Sequence, residues 1–334
     1  MAIREKARSD ISRLARQGDG SSVGRSTAWR QGAAALLGQR LPGIAAGAVA
    51  AARGHALTLV YHRVRPEPAR DNEVVPCVPV DQFRAHVEAL RTVGDIVRVD
   101  QLMTSRLSGR PRFALTFDDD YATHVRHVLP VLRQLEVPAT FFLSGRSLHG
   151  LGPYWWEVLE ARIRADGPER VARALDVGTS QPPAIAAACE EDPERQRLLQ
   201  ADAGGADDQL RPGEISALAE GGMTIGFHTI AHAVLPLLRP PDRRRALTHG
   251  RDRLQDITGQ RLAEFAYPHG RADAATAADA RAAAYQGAWT GTGTAVSGRS
   301  DPWRLSRWEA GAIDPRTLRA RALARLLRPV LADG

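Results

Sequence analysis

Two cysteines in 334 residues, Cys77 and Cys189, leave no material for a disulfide framework and no zinc-ribbon spacing. Lysine is almost missing. Lys6 is the single one among 45 basic residues, so the net charge of +7 rests on arginine. Those arginines are scattered, and no dense basic block is interleaved with aromatics, which argues against a nucleic-acid interface. A GC-rich coding sequence produces the same Ala and Arg bias without functional meaning. No apolar run reaches about 18 residues, which excludes an evident membrane-spanning helix. The first thirty residues carry no apolar signal core. The segment from Ala33 to Ala52 ends in small residues as an export signal does, but Gln39, Arg40 and Pro42 interrupt it, so it reads as an Ala-rich helix. The expected location is therefore cytoplasmic or at the membrane periphery, with export by this segment as the alternative. There is no internal repeat.

What is present is ordinary globular material, 43% hydrophobic and 25% charged. Residues 1–54 read as a helical lead-in and residues 55–334 as one large α/β unit. LTLVYH from Leu57 is a short strand-type run. Asp81 to Val93 places Phe83, Val87 and Leu90 at helical spacing after an N-cap aspartate. DIVRV from Asp95 alternates as a strand, and Arg112 to Phe117 is a strand that runs straight into three aspartates. A helix is expected from Ala122 to Leu135, then a buried strand, ATFFLS. Residues from about 150 to 211 break the rhythm and read as a helical insertion capping one end of the sheet. Alternation then resumes, with helices at 214–220, 242–257 and 273–284 and strands at 223–227, 262–267 and 285–290. Strand–helix alternation of this kind means a parallel sheet or barrel.

Three strand ends carry chemistry: Thr116 to Asp120 (TFDDD), His228 to His232 (HTIAH) and Phe265 to Gly270 (FAYPHG). In a parallel barrel, such C-terminal ends open on one face, where active sites lie. Two imidazoles and a carboxylate form an open divalent-metal site, and a bound metal acidifies water and polarises a carbonyl. A second carboxylate beside it can serve as general base. Taken singly, an Asp pair after a strand is more often a helix cap, and a His pair four apart is more often surface or core. Their order and shared placement favour the metal site.

These motifs resemble the polysaccharide deacetylase family, the NodB-homology carbohydrate esterases, from about Leu57 to Trp308. The resemblance implies a distorted (β/α)7 barrel, zinc as the usual metal with cobalt or nickel as substitutes, and an N-acetylated glycan or sugar conjugate as substrate. It makes Asp118 the base and Asp119, His228 and His232 the metal ligands. Three departures stand out. Asp120 replaces a usual Gly, giving either an altered turn or an extra acceptor. The third motif reads Ala266, Tyr267, Pro268, His269, Gly270, so the Arg that orients the base is missing and His replaces Tyr. The His269 N–H can still contribute to an oxyanion hole. No C-terminal Leu-x-His motif supplies the general acid. A circularly permuted branch carries that histidine at the first strand, and LVYHRV resembles it, which makes His62 the candidate acid. Its alternative is a structural His at a strand end. Arg307, in LSRW, is the candidate replacement for the charge lost at Ala266. Its alternative is an arginine at the core edge.

Trp155 and Trp156 either stack on a sugar or pack the insertion, with Trp156 and Tyr267 taken as substrate contacts. His124, His127 and His149 are expected to be solvated. The final segment is amphipathic, with Leu318, Leu323, Leu326 and Leu327 on one side, and reads as a helix packed on the barrel or touching a membrane. The expected activity is hydrolytic N-deacetylation. Rival expectations are a deformylase or O-acetyl esterase of a lipid-linked or surface sugar, and a silent glycan-binding relative.

Overall fold

A computed structural model describes residues 51, 54–68, 73–102, 109–200 and 209–328. The expected lead-in lies outside the described residues, apart from Ala51 and Gly54, as does nearly all of the Ala33–Ala52 segment.

Seven parallel strands close into a barrel: β1 (Ala56–Tyr61), β5 (Arg112–Asp118), β6 (Thr140–Leu143), β7 (Thr224–Phe227), β8 (Glu264–Ala266), β9 (Gly287–Thr290) and β10 (Leu305–Glu309). β1 closes the ring, pairing with β10 (Thr58 opposite Arg307) and with β5 (Ala56 opposite Arg112 through Tyr61 opposite Phe117). A two-residue strand, β4 (Asp95–Ile96), adds to the start of β5. Outside the ring, β2 (Arg63–Arg65) and β3 (Cys77–Pro79) pair in parallel.

The strand sequences explain the closure. Side chains alternate between faces with period two. Phe113, Leu115 and Phe117 join Leu57, Leu59, Phe141, Ile225 and Phe265 in the large apolar layer that also takes up the surrounding helices' apolar faces. Ala114, on the other face of β5, joins Ala56, Phe142, Ala266, Trp289 and Leu305 in a smaller cluster. Both faces of the strands are buried, which is why β1 reads as an almost unbroken apolar run. The lumen is crowded: a Cβ on Gly226 would overlap the Phe142 ring.

The insertion contains helices Trp155–Asp166, Pro168–Ala174, Pro182–Glu190 and Pro193–Gln200. They have an apolar core of their own, including Trp155, Leu159, Ile163, Ile185 and Cys189. A buried ion pair, Arg63 with Glu160, ties this unit to β2.

Several elements depart from the sequence reading. The DIVRV strand stops at Ile96, and Val99–Gln101 turns as a 3-10 helix. Asp81 lies in the first turn of the helix Val80–Arg91, whose N-cap is Pro79. The helix expected over 242–257 is two helices, Pro240–Ala246 and Arg251–Thr258. Gly250 breaks it with φ +85°, and a Cβ there would overlap Ile230 Cδ1. In the last helix, Pro315–Leu327, the residues Leu318, Leu323 and Leu326 are buried, so its apolar side is spent on the barrel. Among the described residues no helix is long and apolar enough to cross a membrane.

Candidate active site

The C-terminal ends of the strands bring the three motifs together. β5 delivers Asp118 as its last residue and Asp119 just beyond it. β7 ends at Phe227, so His228 is the first residue out of the sheet. Asp119 Oδ1 lies 3.8 Å from His228 Nε2 and 3.6 Å from His232 Nε2. One ligand atom from each of Asp119, His228 and His232 falls within 4.8 Å of the others, a spacing that suits one divalent ion. The donor set itself supports a metal: Asp119 Oδ1 is buried and accepts no hydrogen bond. His228 Nδ1 donates to the Ala266 carbonyl at 2.8 Å, which leaves Nε2 as the free donor atom.

Four non-glycine residues here adopt left-handed backbone: Asp119 (φ 70°), Thr229 (φ 63°), His232 (φ 49°) and His269 (φ 58°). Such conformations cost free energy, and surrounding structure must enforce them. His124 supplies part of that enforcement. It was expected in solvent but is fully buried, its ring edge-on to Phe117, Tyr121 and Phe141. Its Nε2 donates to the carbonyls of Asp118 and Asp119, both at 3.1 Å, and burial pushes its pKa down to about 4. His127 and His149 are half-buried.

Asp120 proves to be a fastener for the loop after β6. Its carboxylate accepts from Ser144 N (2.8 Å), Ser144 Oγ (2.6 Å) and Arg146 N (2.8 Å), and it does not line the cavity.

Arg307 grips Asp118 with two parallel bonds, Nη1 to Oδ1 at 2.6 Å and Nη2 to Oδ2 at 2.8 Å. Both side chains are almost wholly buried. Burial alone would raise the Asp118 pKa, but the Arg307 charge and hydrogen bonds, together with His228 and His62, outweigh it and bring the carboxyl down to about 2. Asp119 moves the other way: burial, reinforced by the neighbouring Asp118 and Asp120, lifts it to about 7. Burial also pushes the two donor imidazoles down, His228 to about 4 and His232 well below its ordinary value.

His62 follows the end of β1, and its Nδ1 lies 3.2 Å from Glu309 Oε1 on β10. Burial would lower its pKa, but Glu309, with Asp119 and Asp118 behind it, raises it to about 9. The sequence reading missed Glu309. The faint signal is that it sits two residues after Arg307 on the same strand face, in register with Val60, two before His62.

His269 ties the third motif to the insertion. Its Nδ1 lies 3.0 Å from Glu190 Oε1, and its Nε2 donates to the His232 carbonyl at 3.2 Å. Arg271 pairs with Glu191 beside it.

Trp156 lines the cavity but is committed to packing: it stacks on Tyr154 with ring centroids 4.2 Å apart and donates to the Tyr121 hydroxyl at 2.9 Å. Its edge meets the His232 ring. Tyr267 is not at the site. It is fully buried, and its hydroxyl donates to the Trp303 carbonyl at 2.7 Å, because strand alternation turns it towards the helix layer. The remaining residues surround a cavity of about 420 Å³ lined by Asp118, Asp119, His62, His228, His232 and His269, among others.

Comparison with known proteins bears on the family and the fold. A family model described as polysaccharide deacetylase matches residues 107–288. No curated protein matches the chain. Among solved structures, the fold is similar to the deacetylase PplD of Streptococcus pyogenes in complex with acetate, at 16% identity and a TM-score of 0.58, over 82% of this chain and 99% of that one. It is also similar to IcaB from Ammonifex degensii, at 19% identity and a TM-score of 0.54, over 81% and 97% of the two chains. A polysaccharide deacetylase from Bacillus cereus, BC0361, gives 15% identity and a TM-score of 0.54 over 80% and 69%. The matched segment carries both aspartates and both histidines, and it covers more than half of the sequence: the chain belongs to the polysaccharide deacetylase family.

Proposed function

We propose that this carbohydrate deacetylase is a metal-dependent hydrolase that removes the acetyl group from the nitrogen of an N-acetylated sugar. One observation carries the reading. Three metal-donor side chains converge, with a carboxylate held ionised on one side and a histidine held protonated on another.

Asp119, His228 and His232 would hold the ion, and their nitrogen and oxygen donors suit zinc. A divalent ion there would supply the Lewis acidity that acidifies a water enough for so weak a base as Asp118, and would polarise the acyl carbonyl. Asp118 takes the proton from the attacking water, and Arg307 keeps it ionised and aimed. The new C–O bond places negative charge on the former carbonyl oxygen, and the His269 backbone N–H is the candidate donor towards it. His62 then gives its proton to the amine nitrogen as the C–N bond breaks, releasing acetate and an amino sugar. Glu309 keeps that proton on His62 at neutral pH.

The test is acetate release from N-acetylglucosamine and its oligomers, with Zn²⁺ or Co²⁺ restored after chelation, comparing wild type with Asp118→Asn. Metal-dependent release that the substitution abolishes is expected. Release that survives chelation, or that Asp118→Asn leaves intact, would sink the proposal.

A further inference from the structure

The cavity is unusual in what lines it away from the reacting groups. Among the described lining residues, each charged or imidazole side chain meets another, although the Glu309 and Glu190 carboxylates stay partly exposed. Arg307 holds Asp118, Glu309 faces His62, Glu190 faces His269, and Asp119, His228 and His232 form the donor set. Reading the hydroxyls of a polysaccharide calls for further polar groups aimed at the ligand. Beside those side chains and the indoles of Trp155 and Trp156, the described lining offers hydrocarbon.

That hydrocarbon forms two walls. One is the segment Val74–Pro76. Glu160 Oε1 accepts the N–H groups of Val74 (2.7 Å) and Val75 (3.1 Å), which anchors this segment to the insertion. Arg63, the residue after His62, donates its backbone N–H to the Pro76 carbonyl at 3.4 Å. This wall therefore stands beside the proton donor. The other wall is one face of the helix Pro182–Glu190, where Pro183, Ala186 and Ala187 recur at helical spacing. Glu190 on the same face docks on His269, and Glu191 pairs with Arg271, so the helix end is fastened over the site. Val74, Val75 and Ala186 also pack against the insertion's own core.

We infer that the substrate carries a hydrocarbon chain on its sugar, as an apolar aglycone, and that this chain lies between Val74–Pro76 and the small-residue face of the helix Pro182–Glu190. The placement rests on the proposed function. His62 protonates the leaving nitrogen, so the wall next to it faces the amino sugar rather than the departing acyl group. Small side chains at 186 and 187 leave the gap that a chain would fill. Each methylene buried there is worth up to about fourfold in binding.

The experiment compares metal-loaded enzyme on three series: alkyl glycosides of N-acetylglucosamine from methyl to hexyl, glucosamine N-acylated with chains of increasing length, and N-acetylglucosamine oligomers. Wild type is set against Ala187→Asp, an exposed wall position where a charge leaves the core untouched. The expected result is a rise in kcat/KM of more than about tenfold along the alkyl glycosides. Ala187→Asp should remove most of that rise, flattening the series from methyl to hexyl. A flat alkyl series, a rise that Ala187→Asp leaves intact, or oligomers preferred over alkyl glycosides would overturn the inference. A rise confined to the N-acyl series would also overturn it, by assigning the chain to the acyl group. Calorimetric binding of alkyl glucosides, which have no acyl group to lose, separates this inference from the deacetylase reading. If no substrate is hydrolysed, the deacetylase reading fails; chain-length-dependent binding that Ala187→Asp weakens still supports the apolar site, and its absence overturns it.

Discussion

Replacing Arg307 by Met tests the organisation of the site most directly. The side chains of Arg307 and Asp118 are 2% and 5% exposed and share two hydrogen bonds. Removing the guanidinium leaves a buried carboxylate with no matching charge, a loss on the order of 3–5 kcal/mol. The pH dependence carries a sign that a generic packing defect would not reproduce. In the wild type, Asp118 falls from an ordinary value of 3.8 to about 2. It therefore contributes stability that is fully present above pH 3.8 and is lost as pH falls through about 2. That contribution is on the order of 2 kcal/mol at neutral pH. In Arg307→Met, burial dominates and the Asp118 pKa rises above 3.8. The sign then reverses: the folded state binds the Asp118 proton more tightly, so the variant gains stability relative to wild type as pH falls from about 7 towards 3.8. Thermal unfolding of chelated protein at the two ends of that range measures both effects. Asp118→Asn in the Arg307→Met background should recover part of the loss, because the uncompensated charge is gone. A loss below about 1 kcal/mol, or identical pH dependence in wild type and variant, would refute the pairing as the controlling interaction.

Three further outcomes are expected. Metal loading should release a proton near neutral pH, because burial lifts Asp119 to about 7 in the metal-free site; calorimetric titration should show affinity falling by about tenfold per pH unit below that value. Deacetylase activity should decline as pH rises through about 9, where His62 loses its proton, and Glu309→Gln should move that alkaline limb down towards 6.5. His124→Ala should cost about 1–3 kcal/mol in thermal stability and lower the metal stoichiometry, since two buried carbonyls lose the donor that shapes the Asp118–Asp119 turn.

Local patterns carried the main parts of this architecture. The run RFALTFD read as a strand ending in carboxylates, and the four-residue spacing of His228 and His232 after an apolar run marked two candidate donors leaving a strand end. Asp118, Asp119 and the two histidines were legible because each motif lies within a few residues of its own strand. Helix limits were less legible: the turn at Gly250 depends on the Ile230 side chain packed against it, which periodicity does not register.

Other features depend on which strand ends meet when the ring closes. β10 and β5 are separated by β1, so Arg307 reaches Asp118 through the lumen, along a path that a separation of 189 positions in sequence does not reveal. Glu309 meets His62 because β10 pairs with β1, and Glu190 meets His269 because the insertion folds back over the strand ends. His124 and Tyr267 show the same limit from the other side, since their types suggested solvent and substrate while the packing buried both rings. The sequence by itself determined the main strands and the order of the candidate donor residues beyond their ends, because strands follow from short-range sterics and hydrophobic patterning. Only the tertiary structure decided which charges neutralise one another and which walls enclose the cavity, because Coulomb and packing energies depend on distances that barrel closure sets.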